Sequence, residues 1–243
     1  MRLEGAAALV TGAGKRIGQA IAIGLAQSGC DVAIHYHGSA TGAEETARAV
    51  RGAGRRAELV PADLRDAAAA HGLADQAARA FRRLDIVVNS AAIMVRQAVE
   101  TVTPESWNAT LDLNLRAPFF VSQGAIPHLR RAKGKIVNIA DLAGLEPWAA
   151  YVPHSVSKAG VVMLTKALAR ALAPDIAVNA IAPGAVLLPE DWDTESREHI
   201  RETTPLERLG EPADVVAAVR FLLAGTDYVT GTVLVLDGGR LIR

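Results

Sequence analysis

The stretch YVPHSVSKAG (151–160) places Tyr151 three residues before His154 and Lys158 four residues after it. On a helix these spacings put the three side chains on neighbouring positions of one face. Each type can hold or move a proton. Imidazole titrates at roughly 6.5 and phenol at roughly 10, so His154 lies nearer to operating pH. Positioned proton delivery contributes typically about 10²–10⁴-fold to a rate. Three donors stay open at this point: His154, Tyr151 and a bound water. Asp141 closes the apolar run IVNIAD (136–141). A carboxylate there favours and orients an imidazolium, whereas the Lys158 ammonium disfavours one. The plainer reading of Asp141 is a turn or capping aspartate, and that of Tyr151 an aromatic packed beneath a loop.

A second constellation, ALVTGAGKRIGQAIA (8–22), sets a glycine-rich turn between an apolar run and a helical pattern. Glycines such as Gly12 let the backbone approach a pyrophosphate, and the helix amino terminus supplies free N–H groups and a positive dipole end. An acidic residue closing the second strand selects the ribose 2′-hydroxyl of NAD. Here that strand ends AIHYHGS without a carboxylate, while Lys15 and Arg16 sit in the loop. A 2′-phosphate meets cations there instead of repulsion, so NADPH/NADP+ is the expected cofactor. His35 and His37 read as ordinary strand residues. No His/Cys/Asp spacing suggests a metal site.

The elements that must carry these residues are legible as apolar runs at 6–10, 31–36, 56–60, 85–89, 135–139, 176–181 and 232–236, separated by helical patterns. Seven such runs predict a parallel sheet buried on both faces, a Rossmann-type doubly wound α/β fold with helices on both sides. The segment 16–29 places Ile17, Ala20, Ile21 and Gly24 on one helical face, with Gly29 as the stop. The Ala-rich segment 66–84 reads as a further covering helix. The longest helical stretches are 104–132 and 154–173. Residues 183–212 read as one long irregular segment, and loops of that length are usually functional lids. The substrate lid is placed at about 185–211 in a single domain spanning 1–243.

Twenty-six basic residues balance 26 acidic ones. That removes the strong field of a nucleic-acid binder or polybasic membrane anchor, and favours a small-molecule substrate. One cysteine, Cys30, excludes an intrachain disulfide and suits a reducing cytoplasm as a small buried hydrophobe. No signal peptide or membrane-spanning run is read, so a cytoplasmic protein is expected.

The motifs TGAGKRIG (11–18), NSAA (89–92), LNL (113–115), IVNIAD (136–141), His154-x-x-x-Lys158, NAIAPG (179–184) and TGTVLVLDGG (230–239) occur in this order. In them the chain resembles the short-chain dehydrogenase/reductase family from end to end. TGAGKRIG, HYHGS (35–39) and Asp141 look like its pteridine reductase branch. The resemblance implies that Arg16, His37 and Ser39 lie near the adenosine phosphate, with Ile17 in the same turn. It also implies that Asp63 and Leu64 flank adenine and that Asn89, Ser90 and Ala91 line the cofactor. Pro183, Gly184 and Val186 would border the nicotinamide, and Lys158 would hold its ribose. Asn114, Asp141, His154 and Lys158 would form the proton relay, Asp141 standing thirteen positions ahead of His154 where most members have a serine. Met94, Tyr151, Leu188 and Trp192 are expected to contact substrate. A homotetramer or homodimer through the long helices is also implied.

The departures from the family pattern are specific. Arg16 replaces the middle glycine of the loop, Gly38 replaces an arginine of the protozoal branch, and Met94 stands where an aromatic stacks on pterin. Above all, His154 occupies the place of the tyrosine. From bond lengths an imidazole nitrogen extends roughly 2 Å less from its Cα than a phenolic oxygen, and a misplacement of about 1 Å can cost about a hundredfold. The expected activity is an NADPH-dependent reductase acting on a pteridine-like heterocycle or small carbonyl compound. The alternative is a catalytically weakened NADP(H)-binding protein with a sensing or assembly role.

Overall fold

A computed structural model describes residues 1–188 and 193–242. Among these, seven strands form one parallel sheet: β1 (Ala7–Val10), β2 (Asp31–Tyr36), β3 (Ala57–Pro61), β4 (Ile86–Asn89), β5 (Lys135–Ile139), β6 (Ala177–Pro183) and β7 (Val233–Leu236). Their order is β3-β2-β1-β4-β5-β6-β7. Every apolar run read from the sequence is a strand, with ends displaced by no more than one or two residues. β1, β4 and β5 are buried along their whole length, because helices cover both faces. Alternation along β1 feeds two cores, Ala8 and Val10 into one, Ala7 and Leu9 into the other.

On the first face lie α1 (Arg16–Gln27), α2 (Ala40–Gly52) and α8 (Pro212–Arg220), packing Ile21, Leu25, Val50, Val215 and Val219 onto the sheet. On the second lie α3 (Ala67–Phe81), α5 (Ala117–Ala132) and α6 (Val152–Leu172), contributing Leu73, Phe81, Leu129 and Leu168. α1 ends where predicted: Gly29 adopts φ +96° and turns the chain into β2. α3 starts on Asp66, whose carboxylate accepts from the N–H groups of Ala68 and Ala69.

Two expectations need correction. The helical stretch 104–132 is three pieces, α4 (Pro104–Leu111), a wide π turn over Asp112–Arg116, and α5. The irregular segment 183–212 contains α7 (Thr194–Glu202), capped by Asp193 accepting from Ser196 N–H at 2.6 Å. None of its residues is buried, so it shows no apolar stripe for pattern reading to find. Strand order reverses between β1 and β4, which opens a crevice at their carboxyl ends. Among the described residues, no helix is long and apolar enough to cross a membrane.

Candidate active site

The β1–α1 turn is shaped by close backbone approach. Gly12 has φ +66°, and a Cβ there would lie 2.8 Å from Ala91 Cα. At Gly18 a Cβ would strike the Gly12 carbonyl oxygen. Thr11 Oγ1 accepts from the N–H groups of Ser90 (2.9 Å) and Ala91 (3.1 Å), tying the turn to the end of β4. His35 braces it from β2. Gly12 N–H can only donate, so His35 Nδ1 accepts from it at 3.1 Å and Nε2–H donates to Ala62 O at 3.1 Å. Burial pushes the pKa of this ring down to about 4, which keeps it neutral. His35 is thus more than an ordinary strand residue.

Above this backbone sit charges. Lys15, at the N-cap of α1, and Arg16, the first helical residue, are exposed on the crevice wall. Arg16 takes φ +55°, and its guanidinium donates to the Leu187 carbonyl. The first N–H groups of α1 have no intrahelical partner. At the end of β2, His37, Gly38 and Ser39 line the crevice and bring no carboxylate. Asp63 does bring one, but the Arg65 guanidinium bonds it at 2.7 Å and holds it well below the usual range, at about 2. His37 Nδ1 stands 3.5 Å from the same carboxylate, and Leu64 is buried beside it.

At the other end, α6 begins with His154 and Lys158 one turn apart, both buried. Lys158 Nζ donates to Ile139 O at 2.7 Å. Desolvation lowers its pKa to about 8, against a smaller upward pull from Asp141. Asp141 has two roles. Its Oδ1 accepts from Ala143 N–H at 2.9 Å, closing a short turn, and its Oδ2 lies 3.7 Å from His154 Nε2. Among the described residues, Nε2 has no hydrogen-bond partner. His154 Nδ1 faces Ile93 O at 3.1 Å. Tyr151 stands just before α6, edge-on to Trp148 with ring centroids 6.0 Å apart.

These two ends are parts of one crevice of about 1080 Å³, which exceeds the usual span for a single small ligand. Its walls include Gly12, Lys15, Arg16 and Ile17, then His37, Ser39, Asp63 and Leu64 at the β2 and β3 ends. Ser90, Ala91 and Met94 follow β4, and Asp141, Tyr151, His154 and Lys158 form the far wall with Pro183, Gly184, Val186 and Leu188. Two expected residues are placed behind that wall. Asn89 turns inward, donating to Ser122 Oγ and Asn138 Oδ1, and so braces β4 against β5 instead of lining the crevice. Asn114, in the π turn, bonds Ile93 and Ser157 from beneath. Trp192 lies outside the described residues.

Sequence reasoning missed Trp148 and Glu146, which line the crevice in an irregular segment and bond each other at 3.1 Å. It also missed Ile93, whose part is played by a backbone carbonyl, and Ser157, buried beneath His154. For Ser157 the only signal was its place one turn from His154.

A family model described as enoyl-(acyl carrier protein) reductase matches residues 12–240. The chain is 38% identical to 3β-hydroxysteroid dehydrogenase 1 of Eggerthella lenta, over 98% of this chain and 94% of that one. It is 33% identical to a 3-oxoacyl-acyl-carrier-protein reductase of Staphylococcus aureus, over 96% of each. A crystal structure of a short-chain dehydrogenase from Burkholderia cenocepacia in complex with NADP is similar with a TM-score of 0.93 and 36% identity, covering 99% of this chain and 100% of that one. The chain belongs to the short-chain dehydrogenase/reductase family of NAD(P)-dependent oxidoreductases.

Proposed function

We propose that the chain is an NADPH-dependent reductase of small carbonyl compounds or pteridine-like heterocycles, in which His154 transfers the proton where most of the family places a tyrosine. One observation carries this reading: a buried imidazole nitrogen with no hydrogen-bond partner among the described residues stands at the crevice wall beside Asp141 and one turn from Lys158. The relatives named for steroid and oxoacyl chemistry support a carbonyl or alcohol substrate; HYHGS and Asp141 are what favour a pteridine-like ring.

The crevice fits NADP(H). The turn at Gly12 and Gly18 leaves no room for a side chain, as a closely approaching pyrophosphate requires. Lys15, Arg16, His37 and Ser39 would hold the 2′-phosphate, with Asp63 kept from repelling it by Arg65. Asp63 and Leu64 would flank adenine, and Ser90 and Ala91 would line the path between the two ends. Pro183, Gly184 and Val186 would border the nicotinamide, and Lys158 its ribose. The reduced cofactor supplies hydride when bound. His154 would exchange the proton with substrate oxygen beside Asp141, and Met94, Tyr151 and Leu188 would enclose the substrate under a lid at 185–211. Exposed Val156 and Met163 on α6 and Phe119 on α5 support a homotetramer or homodimer built through these helices; a cytoplasmic location goes with this reading.

The test is NADPH and NADH titration by nicotinamide fluorescence, then turnover on α-dicarbonyls, quinones and dihydropterins. We expect NADPH-dependent turnover that His154→Phe lowers at least about 100-fold while NADPH affinity is kept. A native protein inactive on every substrate that His154→Tyr makes active would instead establish the weakened, nucleotide-binding role.

A further inference from the structure

The hydrogen bonds around His154 have a polarity fixed from one end. Ile93 N–H can only donate, and it lies 2.9 Å from Asn114 Oδ1. That contact orients the carboxamide, turning its nitrogen toward the Ile93 carbonyl. Asn114 Nδ2 has two hydrogens and two near acceptors, Ile93 O at 2.8 Å and Ser157 Oγ at 3.1 Å. The Ser157 hydroxyl hydrogen goes to His154 O at 2.7 Å, so its oxygen is free to accept. His154 Nδ1 is 3.4 Å from Asn114 Nδ2, whose hydrogens are spent, and 3.1 Å from Ile93 O. Facing a carbonyl, Nδ1 must carry a hydrogen.

We infer that the Ile93 carbonyl, set by Asn114 as a positioning residue, locks His154 in its Nδ1–H tautomer, so that Nε2 is a bare acceptor in the neutral ring and a donor only in the imidazolium. This is the reverse of the Nε2–H form that predominates in free histidine. A third group that fixes the tautomer of a proton-transferring histidine is familiar from hydrolytic triads, where it is a carboxylate; here it is a neutral peptide.

The inference rests on His154 being the proton-transferring group, and it gives the two directions of reaction opposite requirements. In reduction the Nε2–H bond of the imidazolium breaks and an O–H bond forms on substrate, while hydride from the reduced nicotinamide reaches carbon. In oxidation a substrate O–H bond breaks, Nε2–H forms, and hydride leaves to the oxidised nicotinamide. The Nδ1–H bond persists throughout. Reduction therefore needs the doubly protonated ring, and oxidation needs the neutral one. The Asp141 carboxylate from the end of β5 lies 3.7 Å from Nε2, and Lys158, Tyr151, Glu146 and Arg240 line the same crevice. From the π turn and the segment after β4, Asn114 and the Ile93 peptide contact the ring.

Nitrogen-15 NMR of histidine-labelled protein reads the tautomer directly, with His154 assigned among six histidines by the signal lost in His154→Gln. At alkaline pH we expect a protonated Nδ1 and an unprotonated Nε2. In Asn114→Ala the two shifts should move toward each other, with kcat falling about 100-fold and the KM for NADPH within about twofold of native. A native spectrum with Nε2–H, or with averaged shifts, overturns the inference, and it decides even if Asn114→Ala does not fold. Absence of turnover with the Nδ1–H form intact would defeat the proposed function and leave the tautomer assignment standing.

Discussion

The two ends of the crevice are built to opposite plans. At one end, exposed Lys15, Arg16, His37 and Arg65 stand over a turn whose shape comes from Gly12, Thr11 and His35. Several cations act on one region, so each is partly redundant. At the chemical end His154, Lys158, Asn114 and Ser157 are all buried, and each task falls to one atom at one distance. Affinity should therefore degrade in small steps, whereas turnover should fail at single positions.

The largest effect tests that asymmetry. His154→Gln should lower turnover by about 10²–10⁴-fold while NADPH affinity, measured by fluorescence titration, stays within about twofold. A parallel loss of affinity would mean that the two ends are not separable.

The next largest lies in the pH dependence of stability, because each end buries a base whose pKa is lowered, His35 at one and Lys158 at the other. His35 has its folded pKa pushed down to about 4, so between about 4 and 6.5 the unfolded chain binds the proton that the folded chain refuses. Stability therefore falls with acidification across that window, by on the order of 3 kcal/mol in total. Protonation also removes the acceptor for Gly12 N–H. Lys158, lowered to about 8 from 10.5, gives the same sign in another window, with stability rising as pH climbs from about 8 toward 10.5. Denaturant midpoints across pH should show both slopes. His35→Asn should flatten only the acid one and Lys158→Met only the alkaline one; native slopes in both variants would remove the assignment.

Smaller again is the loss of one cation. Lys15→Ala should weaken NADPH binding by about 10-fold, in line with one charge-assisted hydrogen bond, and leave NADH within about twofold. Equal losses for both cofactors would show that the 2′-phosphate lies elsewhere.

The sheet was readable because its central strands are continuous apolar runs with helical patterns between them, and Gly29 and Asp66 announce a helix end and a helix start. α7 was not: TESREHIRE has no apolar face, and only the Asp193 cap in front of it carried a signal. In the crevice, sequence signals pointed to Lys15, Arg16, Asp141, His154 and Lys158, which lie along its walls, but not to the ring of Trp148 or the carboxylate of Glu146, which lie there too. Ile93 gave no signal either, since nothing in an isoleucine says that its carbonyl will face an imidazole. His35 shows the same blind spot from the other side, a polar residue whose partner is the N–H of a glycine 23 positions earlier.

Replacement of Arg16 by glycine pairs the smallest effect on stability with a shift in cofactor preference. The Arg16 backbone is at φ +55°, a conformation that costs a non-glycine residue roughly 1–2 kcal/mol. Glycine adopts it freely but gives back roughly 0.5–1 kcal/mol in chain entropy, and the exposed bond to Leu187 O contributes about 0.5–1.5 kcal/mol at most. These terms nearly cancel, so Arg16→Gly should leave Tm within about 4 °C of native. The same change removes a cation from the crevice wall and should lower the preference for NADPH over NADH about 10-fold. A large fall in Tm would mean that the arginine side chain holds the turn together; unchanged preference would mean that its strained backbone is kept for a purpose other than charge.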